Sequence, residues 1–257
     1  RMGGPAFGKT EGVYKFAKIK AAKREAVAAH PERQIIDMGV GEPDWTADDS
    51  VLDRLNTESR VSGNRFYADN GIPEFQQACI KYMEDQYGVG SLSERNVIHG
   101  IGSKPILAMI PMCFINPGDV ALVTTPGYPV LGTHTLYLGG EAYSLPLWRN
   151  NDYYPDLSTI PRDVLRRAKL LYINYPNNPT GQVATLQFYR DVIDFAHKHG
   201  IVVVSDAAYS ALVFDGKPLS ILSIDGAMDV AIEVHSLSKS FNMTGWRIAF
   251  VVGSETS

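Results

Sequence analysis

The chain has 257 residues, of which 45% are hydrophobic and 20% charged, with a net charge of −4. This length and apolar content suit one large α/β domain or two small ones, with a sizeable core. The mild acidity leaves no electrostatic footprint for nucleic acid and no basic patch for a membrane surface, and the apolar runs are too short for a membrane-spanning helix.

In chain order, residues 1–34 read as an arm with a basic helix over 14–29, and residues 35–40 read as a short strand that Gly39, Gly41 and Pro43 break off. Helices are predicted over 47–59 and 73–87; in the second, Phe75, Cys79, Tyr82 and Met83 are the apolar positions, and Pro73 stands at the start, where its missing N–H costs little. From Val97 the pattern alternates, with strands over 97–101, 120–124, 142–145, 170–173, 201–204, 230–234 and 248–252 and helices over 104–114, 129–138 and 185–199. The last helix is the clearest, with Phe188, Val192, Phe195 and Ala196 on one face and Gly200 as its stop. Continuous apolar strands separated by helices predict an α/β fold around a mostly parallel sheet covered on both faces.

Cys79 and Cys113 fall in predicted helices and are expected to be buried thiols of a reducing, cytoplasmic compartment. The six histidines show no metal-ligand spacing, so no metal is expected. No secretory signal precedes Tyr14, and a start at Arg1 suggests a trimmed N-terminus.

Four segments carry chemistry. In Ser236-Leu237-Ser238-Lys239, a lysine lies among hydroxyl groups where an apolar strand ends, and Arg247 follows eight residues later. Desolvation there would lower the lysine's pKa and make it an amine nucleophile. Such an amine points to Schiff-base chemistry, and so to pyridoxal 5′-phosphate (PLP). The other three segments are Gly100-Ile101-Gly102-Ser103-Lys104 opening a helix, Asn174 to Gly181 after one strand, and Asp206-Ala207-Ala208-Tyr209 after another. Each sets polar groups at the C-terminal edge of a strand, where open α/β sheets bind ligands. Read singly, these segments have plainer explanations: a solvated lysine, a turn at Asn177-Asn178-Pro179, and a helix cap at Asp206. A dinucleotide fingerprint is excluded at Gly100–Gly102 by the absent third glycine.

In this order and spacing the segments resemble the fold-type I PLP-dependent aminotransferases, from about Tyr14 to the last residue. A narrower resemblance, to the LL-diaminopimelate aminotransferases, rests on Gly12 to Phe16, Met38 to Asp44 and Asn64 to Ile72. The resemblance implies a three-layer large domain over residues 46–257, with an N-terminal arm and part of a small domain over 1–45. The rest of the small domain, with the family's arginine for the substrate α-carboxylate, would lie beyond Ser257.

For the site, the resemblance implies that Lys239 carries PLP and moves the proton. Asp206 would pair with the ring nitrogen, Asn178 and Tyr209 would hold the ring oxygen, and Tyr128 would stack on the ring. Ser103, Lys104, Ser236, Ser238 and Arg247 would bind the phosphate, at a helix start and with one permanent cation. Tyr67 would reach the phosphate from the partner of a homodimer with shared sites. The family aromatic stands five residues before the glycine, a spacing that Phe66 has to Gly71 and that Tyr67 misses by one. Substrate contacts would come from Tyr14, Gly41, Lys104, Tyr128 and Asn178. Asp69 would take a distal ammonium from across the dimer, or is a plain loop carboxylate.

The implied reaction exchanges amino groups between LL-2,6-diaminopimelate and 2-oxoglutarate in lysine biosynthesis. The alternatives are an aspartate, alanine or aromatic amino acid aminotransferase, and a non-enzymatic sensing module of the same fold. The sensing module would need a DNA-binding segment for which residues 1–34 are too short. Ser-x-x-Lys also occurs in β-lactamase-like enzymes, but here Ser205-Asp206 is followed by Ala207 and no Lys-Thr-Gly occurs.

Overall fold

The computed structural model describes residues 15–39 and 41–255, with side chains from residue 18 onward. Seven strands form one sheet: β1 (Val97–Gly100), β2 (Val120–Thr125), β3 (Glu141–Pro146), β4 (Ala168–Asn174), β5 (Val202–Asp206), β6 (Ala231–Ser236) and β7 (Ala249–Gly253). Their order is β1-β7-β6-β5-β4-β2-β3. Strands β2 to β6 run parallel, and β7 lies antiparallel between β6 and β1.

The helices are α1 (Lys15–Ala29), α2 (Asp49–Glu58), α3 (Pro73–Tyr87), α4 (Ser103–Phe114), α5 (Val130–Tyr137), α6 (Arg162–Arg167), α7 (Leu186–His199) and the single turn α8 (Leu237–Ser240). Local chemistry sets their ends. Thr185 caps α7 by accepting from the Phe188 N–H at 3.1 Å, and Gly200 closes it in the left-handed conformation. In α3, Pro73 occupies the first turn and left-handed Gly88 ends the helix.

Strand alternation divides the core. Leu171, Ile173, Val203 and Ala231 pack with Met83 of α3 and with Phe188, Val192 and Ile193 of α7. On the other face Leu170, Tyr172, Val204 and Val234 pack with Leu107 of α4 and Leu131 of α5. Each such aliphatic side chain contributes roughly 1.5–3 kcal/mol by burial. Both faces of the central strands are covered, as their unbroken apolar runs predicted.

Two expectations are corrected. Residues 35–39 form no strand: Ile36 and Met38 are 81% and 91% exposed, and no described strand pairs with them. Apolar content without a ladder partner does not make a strand. Cys113 is exposed, because α4 is apolar nearly all round and turns Leu107, Ile110 and Pro111 to the core, leaving Met109, Met112 and Cys113 outside. Cys79 is buried, and burial pushes its thiol up to about 12. Sequence reading also passed over α6, a short polar helix with only Val164 buried.

Candidate active site

The C-terminal ends of β4, β5 and β6 and the N-terminus of α4 converge on a cleft of about 350 Å³. Parallel register brings the strand ends together: Asn174 lies beside Asp206, and Asp206 beside Val234, two residues before Ser236. A larger groove of about 480 Å³ runs between α4 and the β1–β7 edge, but it is lined by Ile98, Ile101, Ile106 and Met109 and holds no carboxylate or lysine.

Asp206 is 4% exposed. Its Oδ2 accepts from the Tyr172 hydroxyl at 3.0 Å and its Oδ1 from the Ala208 N–H at 3.2 Å. The Ala208 bond is the local turn cap anticipated as the plain reading. Burial nonetheless dominates and raises the carboxyl to about 6, against the lowering effects of Tyr172, Ala208 and nearby His235. Asn174 ties the loops together, donating to the Asp206 carbonyl at 2.8 Å and accepting from the Asn178 N–H at 2.8 Å. The Asn178 amide donates to the Tyr209 hydroxyl at 3.4 Å. Burial first, and Asp206 second, raise the Tyr209 pKa.

Lys239 sits in the single turn α8. Ser236 caps that turn by accepting from the Ser238 N–H at 3.2 Å, and Thr244 braces it by donating to the Ser238 carbonyl at 3.0 Å. The Lys239 ammonium donates to the Gly41 carbonyl. Desolvation lowers the Lys239 pKa and the nearby Arg247 charge lowers it further, while Glu42 opposes them. Both lowering influences favour a free amine.

Arg247 has a left-handed backbone (φ 59°) and donates to the Thr244 carbonyl at 2.7 Å. Its guanidinium lies directly over Gly102 (φ +94°), where an added Cβ would stand 2.1 Å from Nη2. A glycine is needed here on both counts. Ser103 and Lys104 open α4, whose first N–H groups have no partner within the helix.

The cleft thus gathers Gly41, Ser103, Lys104, Tyr128, Asn178, Asp206, Tyr209, Ser236, Ser238, Lys239 and Arg247, all singled out from sequence. It does not gather Tyr67 or Asp69, which are exposed and line no part of it on this chain. Tyr14 lies outside the described residues, as does Val40. Sequence reasoning missed Tyr172, Asn174 as a tie between loops, and the wall residues Lys20 and Thr244. A signal for Tyr172 existed: it is a hydroxylated aromatic in an aliphatic strand, two residues before Asn174 and so on the same face.

A family model described as aminotransferase class I and II matches residues 33–257. Over 256 residues the chain is 58% identical to the LL-diaminopimelate aminotransferase of Methanocaldococcus jannaschii, covering 99% of this chain and 61% of that protein. It is 51% identical to the protein of the same name from Methanococcus maripaludis, covering 99% and 62%. Substrate-bound BacF from Bacillus subtilis superposes with a TM-score of 0.91 at 36% identity, covering all of this chain and 65% of that one. The chain therefore spans about three fifths of the length of the curated relatives it matches.

Proposed function

Because this chain belongs to the class I and II aminotransferase family, we propose that the protein is a PLP-dependent aminotransferase exchanging amino groups between LL-2,6-diaminopimelate and 2-oxoglutarate, in cytoplasmic lysine biosynthesis. The substrate assignment draws on relatives at 58% and 51% identity that carry that name.

One observation carries the cofactor assignment: Asp206, a buried carboxylate, lines the same cleft as Lys239, whose pKa is depressed. A buried carboxylate is costly unless a cation meets it, and a protonated pyridine nitrogen is such a cation. The cleft also fits a phosphate. It offers the α4 N-terminus, Ser103, Ser236 and Ser238, and an arginine held in place over Gly102.

When bound, PLP supplies an aldehyde that captures amines and a ring that draws electrons from the substrate Cα. The protein supplies the rest. Asp206 keeps the ring nitrogen protonated, and Tyr172 and Ala208 aim its two oxygens. Asn178 and Tyr209 would hold the ring oxygen, and Tyr128 would cover the ring face. Lys239, with its lowered pKa, would move the proton between the substrate Cα and the cofactor carbon C4′. Gly41, Lys104 and, from outside the described residues, Tyr14 contact the substrate. In a homodimer, Tyr67 and Asp69 extend to the partner's cleft, Tyr67 to the phosphate and Asp69 to the distal ammonium. Transfer in two halves makes the kinetics ping-pong.

The test is a panel of amino donors with 2-oxoglutarate on the full-length protein. LL-Diaminopimelate should give the highest kcat/KM. Preference for aspartate, alanine or an aromatic donor would replace the substrate assignment, and amino acid binding without turnover would favour a sensing module. Lys239→Ala should lose roughly 10⁴-fold in kcat, since it removes both the covalent anchor and the general base. Normal turnover by that variant would overturn the site.

A further inference from the structure

Two carboxylates lie buried among the described residues, and they are held unequally. Glu233 of β6 is 0% exposed. Its Oε1 accepts from the Ser220 hydroxyl at 2.7 Å and lies 2.7 Å from Nε2 of His235; its Oε2 accepts from the Ile221 N–H at 2.9 Å and the Ser205 hydroxyl at 3.3 Å. An ionised carboxylate has room for about four such bonds, and Glu233 fills them. Asp206 accepts from two donors among the described residues, the Ala208 N–H and the Tyr172 hydroxyl. Each of these donors therefore matters more to Asp206, and Tyr172 is the one that a substitution can remove.

Strand register builds the Tyr172 bond. Tyr172 pairs with Val204 of β5, two residues before Asp206, so the two side chains rise on the same sheet face. Tyr172 is 1% exposed, and it packs with Leu107 of α4, Leu131 of α5 and Val204, with Tyr128 against the same cluster. Burial first, and the Asp206 charge second, raise the Tyr172 pKa well above its ordinary value, so the hydroxyl keeps the proton that it donates. Asp206 itself stands close to a threshold. Its carboxyl is raised to about 6 with the Tyr172 bond in place. Loss of one bond to the charged form would raise it by about one pH unit more. The acid would then be about half protonated near neutral pH, and a neutral acid gives a pyridinium no counter-charge.

Given the pairing with the ring nitrogen proposed for Asp206, on which this step rests, we infer that Tyr172 is a positioning residue whose hydroxyl keeps Asp206 the anion that the cofactor needs. The plainer reading is a core tyrosine that satisfies its hydroxyl at the nearest acceptor. The two readings differ in what the hydroxyl does to the charge of Asp206. The titratable groups that face the bonded pair are Tyr128 ahead of α5, Tyr209 after β5 and His235 of β6, and Lys104, Lys239 and Arg247 line the same cleft. Within the core, the neighbours from β2, α4 and α5 are the apolar Val123, Leu107 and Leu131.

The first measurement uses full-length, cofactor-free protein, so it reads Tyr172 whether or not the enzyme turns over. Tyr172→Phe keeps the ring and removes the hydroxyl. It should move the midpoint of the Asp206 ¹³C carboxyl titration upward by about one pH unit. A midpoint that stays put overturns the inference. In the unmodified protein the ¹³Cζ signal of Tyr172 should titrate with the same midpoint as the Asp206 carboxyl; a signal that ignores that titration also overturns the inference, and this measurement needs no variant. PLP affinity is the second readout. With a smaller fraction of Asp206 ionised, the loss of PLP affinity in Tyr172→Phe should be about threefold larger near pH 6.5 than near pH 8.5. A loss that is the same at both pH values overturns the inference. A purely structural role would lower stability and move neither the carboxyl midpoint nor this pH dependence. Failure of the donor panel or of Lys239→Ala would instead count against the proposed function and leave the cofactor-free titrations as they are.

Discussion

Two regions of this chain carry residues of the proposed site, and they are built differently. The strand-edge region, from Ser103 to Arg247, fixes its groups by parallel register and short buried hydrogen bonds. Asn174, Asp206 and Ser236 end neighbouring strands, and Tyr172, Ala208 and Thr244 brace them. The region from residue 34 to residue 72 is exposed almost throughout, and it touches the cleft at Gly41. The first region is preorganised within one chain, as electrostatic work on a cofactor requires. The second displays Tyr67 and Asp69 to solvent, which suits groups whose target lies on another subunit.

The comparison is tested most severely at Asp206. In Asp206→Ala the ring nitrogen's counter-charge is lost, a change of roughly 3–5 kcal/mol for a broken buried pair. Equilibrium titration should show cofactor affinity falling by more than a hundredfold, and Asp206→Glu should be far milder. Similar small losses in both would reduce Asp206 to a turn cap.

Preorganisation also has a cost that can be read without cofactor. The folded Asp206 pKa of about 6 lies above the ordinary carboxyl value of 3.8. The folded state therefore binds this proton more tightly, and the associated stability is full below about pH 4 and lost as pH rises through about 6. Cofactor-free Asp206→Asn cannot titrate there. It should match the unmodified protein near pH 4 and exceed its stability by about 3 kcal/mol near pH 8, by urea unfolding. A gap independent of pH would mean that the carboxylate is not strained by burial.

Gly102 gives a smaller effect. Gly102→Ala forces a side chain into a positive-φ position and pushes the guanidinium of Arg247 off the α4 N-terminus. Phosphate-dependent cofactor affinity should fall about tenfold, within the roughly 1–3 kcal/mol expected for such strain. Unchanged affinity would remove Arg247 from the phosphate site.

The smallest and most selective effect belongs to the exposed region. Asp69→Ala should lower kcat/KM about tenfold on diaminopimelate, the scale of one hydrogen bond to a charged group, and leave glutamate untouched. Mixed with Lys239→Ala, it should regain diaminopimelate activity on subunit exchange, because one site of each hybrid dimer is intact. No recovery in demonstrated hybrids, or equal loss on both donors, would make Asp69 an ordinary loop carboxylate.

The apolar runs and motifs of the sequence mark the sheet and most of the residues that line the cleft. Unbroken β-branched runs specify buried parallel strands because they match a surface covered on both faces. Asp206, Lys239 and Arg247 are legible as polar groups near strand ends, and Asn178 as part of a turn whose role at a cofactor only the family resemblance implies. What depends on partners distant in sequence emerges only when the chain is folded. Residues 35–39 look like a strand but find no ladder, and Cys113 looks buried on a helix whose apolar surface exceeds what the sheet can cover. Tyr172 reads as core until parallel register sets it against Asp206, 34 residues on. The Glu233–His235 pair reads as a polar interruption of a strand until Ser205 and Ser220 close around it. Hydrophobic period is a local property of the chain, whereas the partner of a buried charge is set by which strands lie side by side.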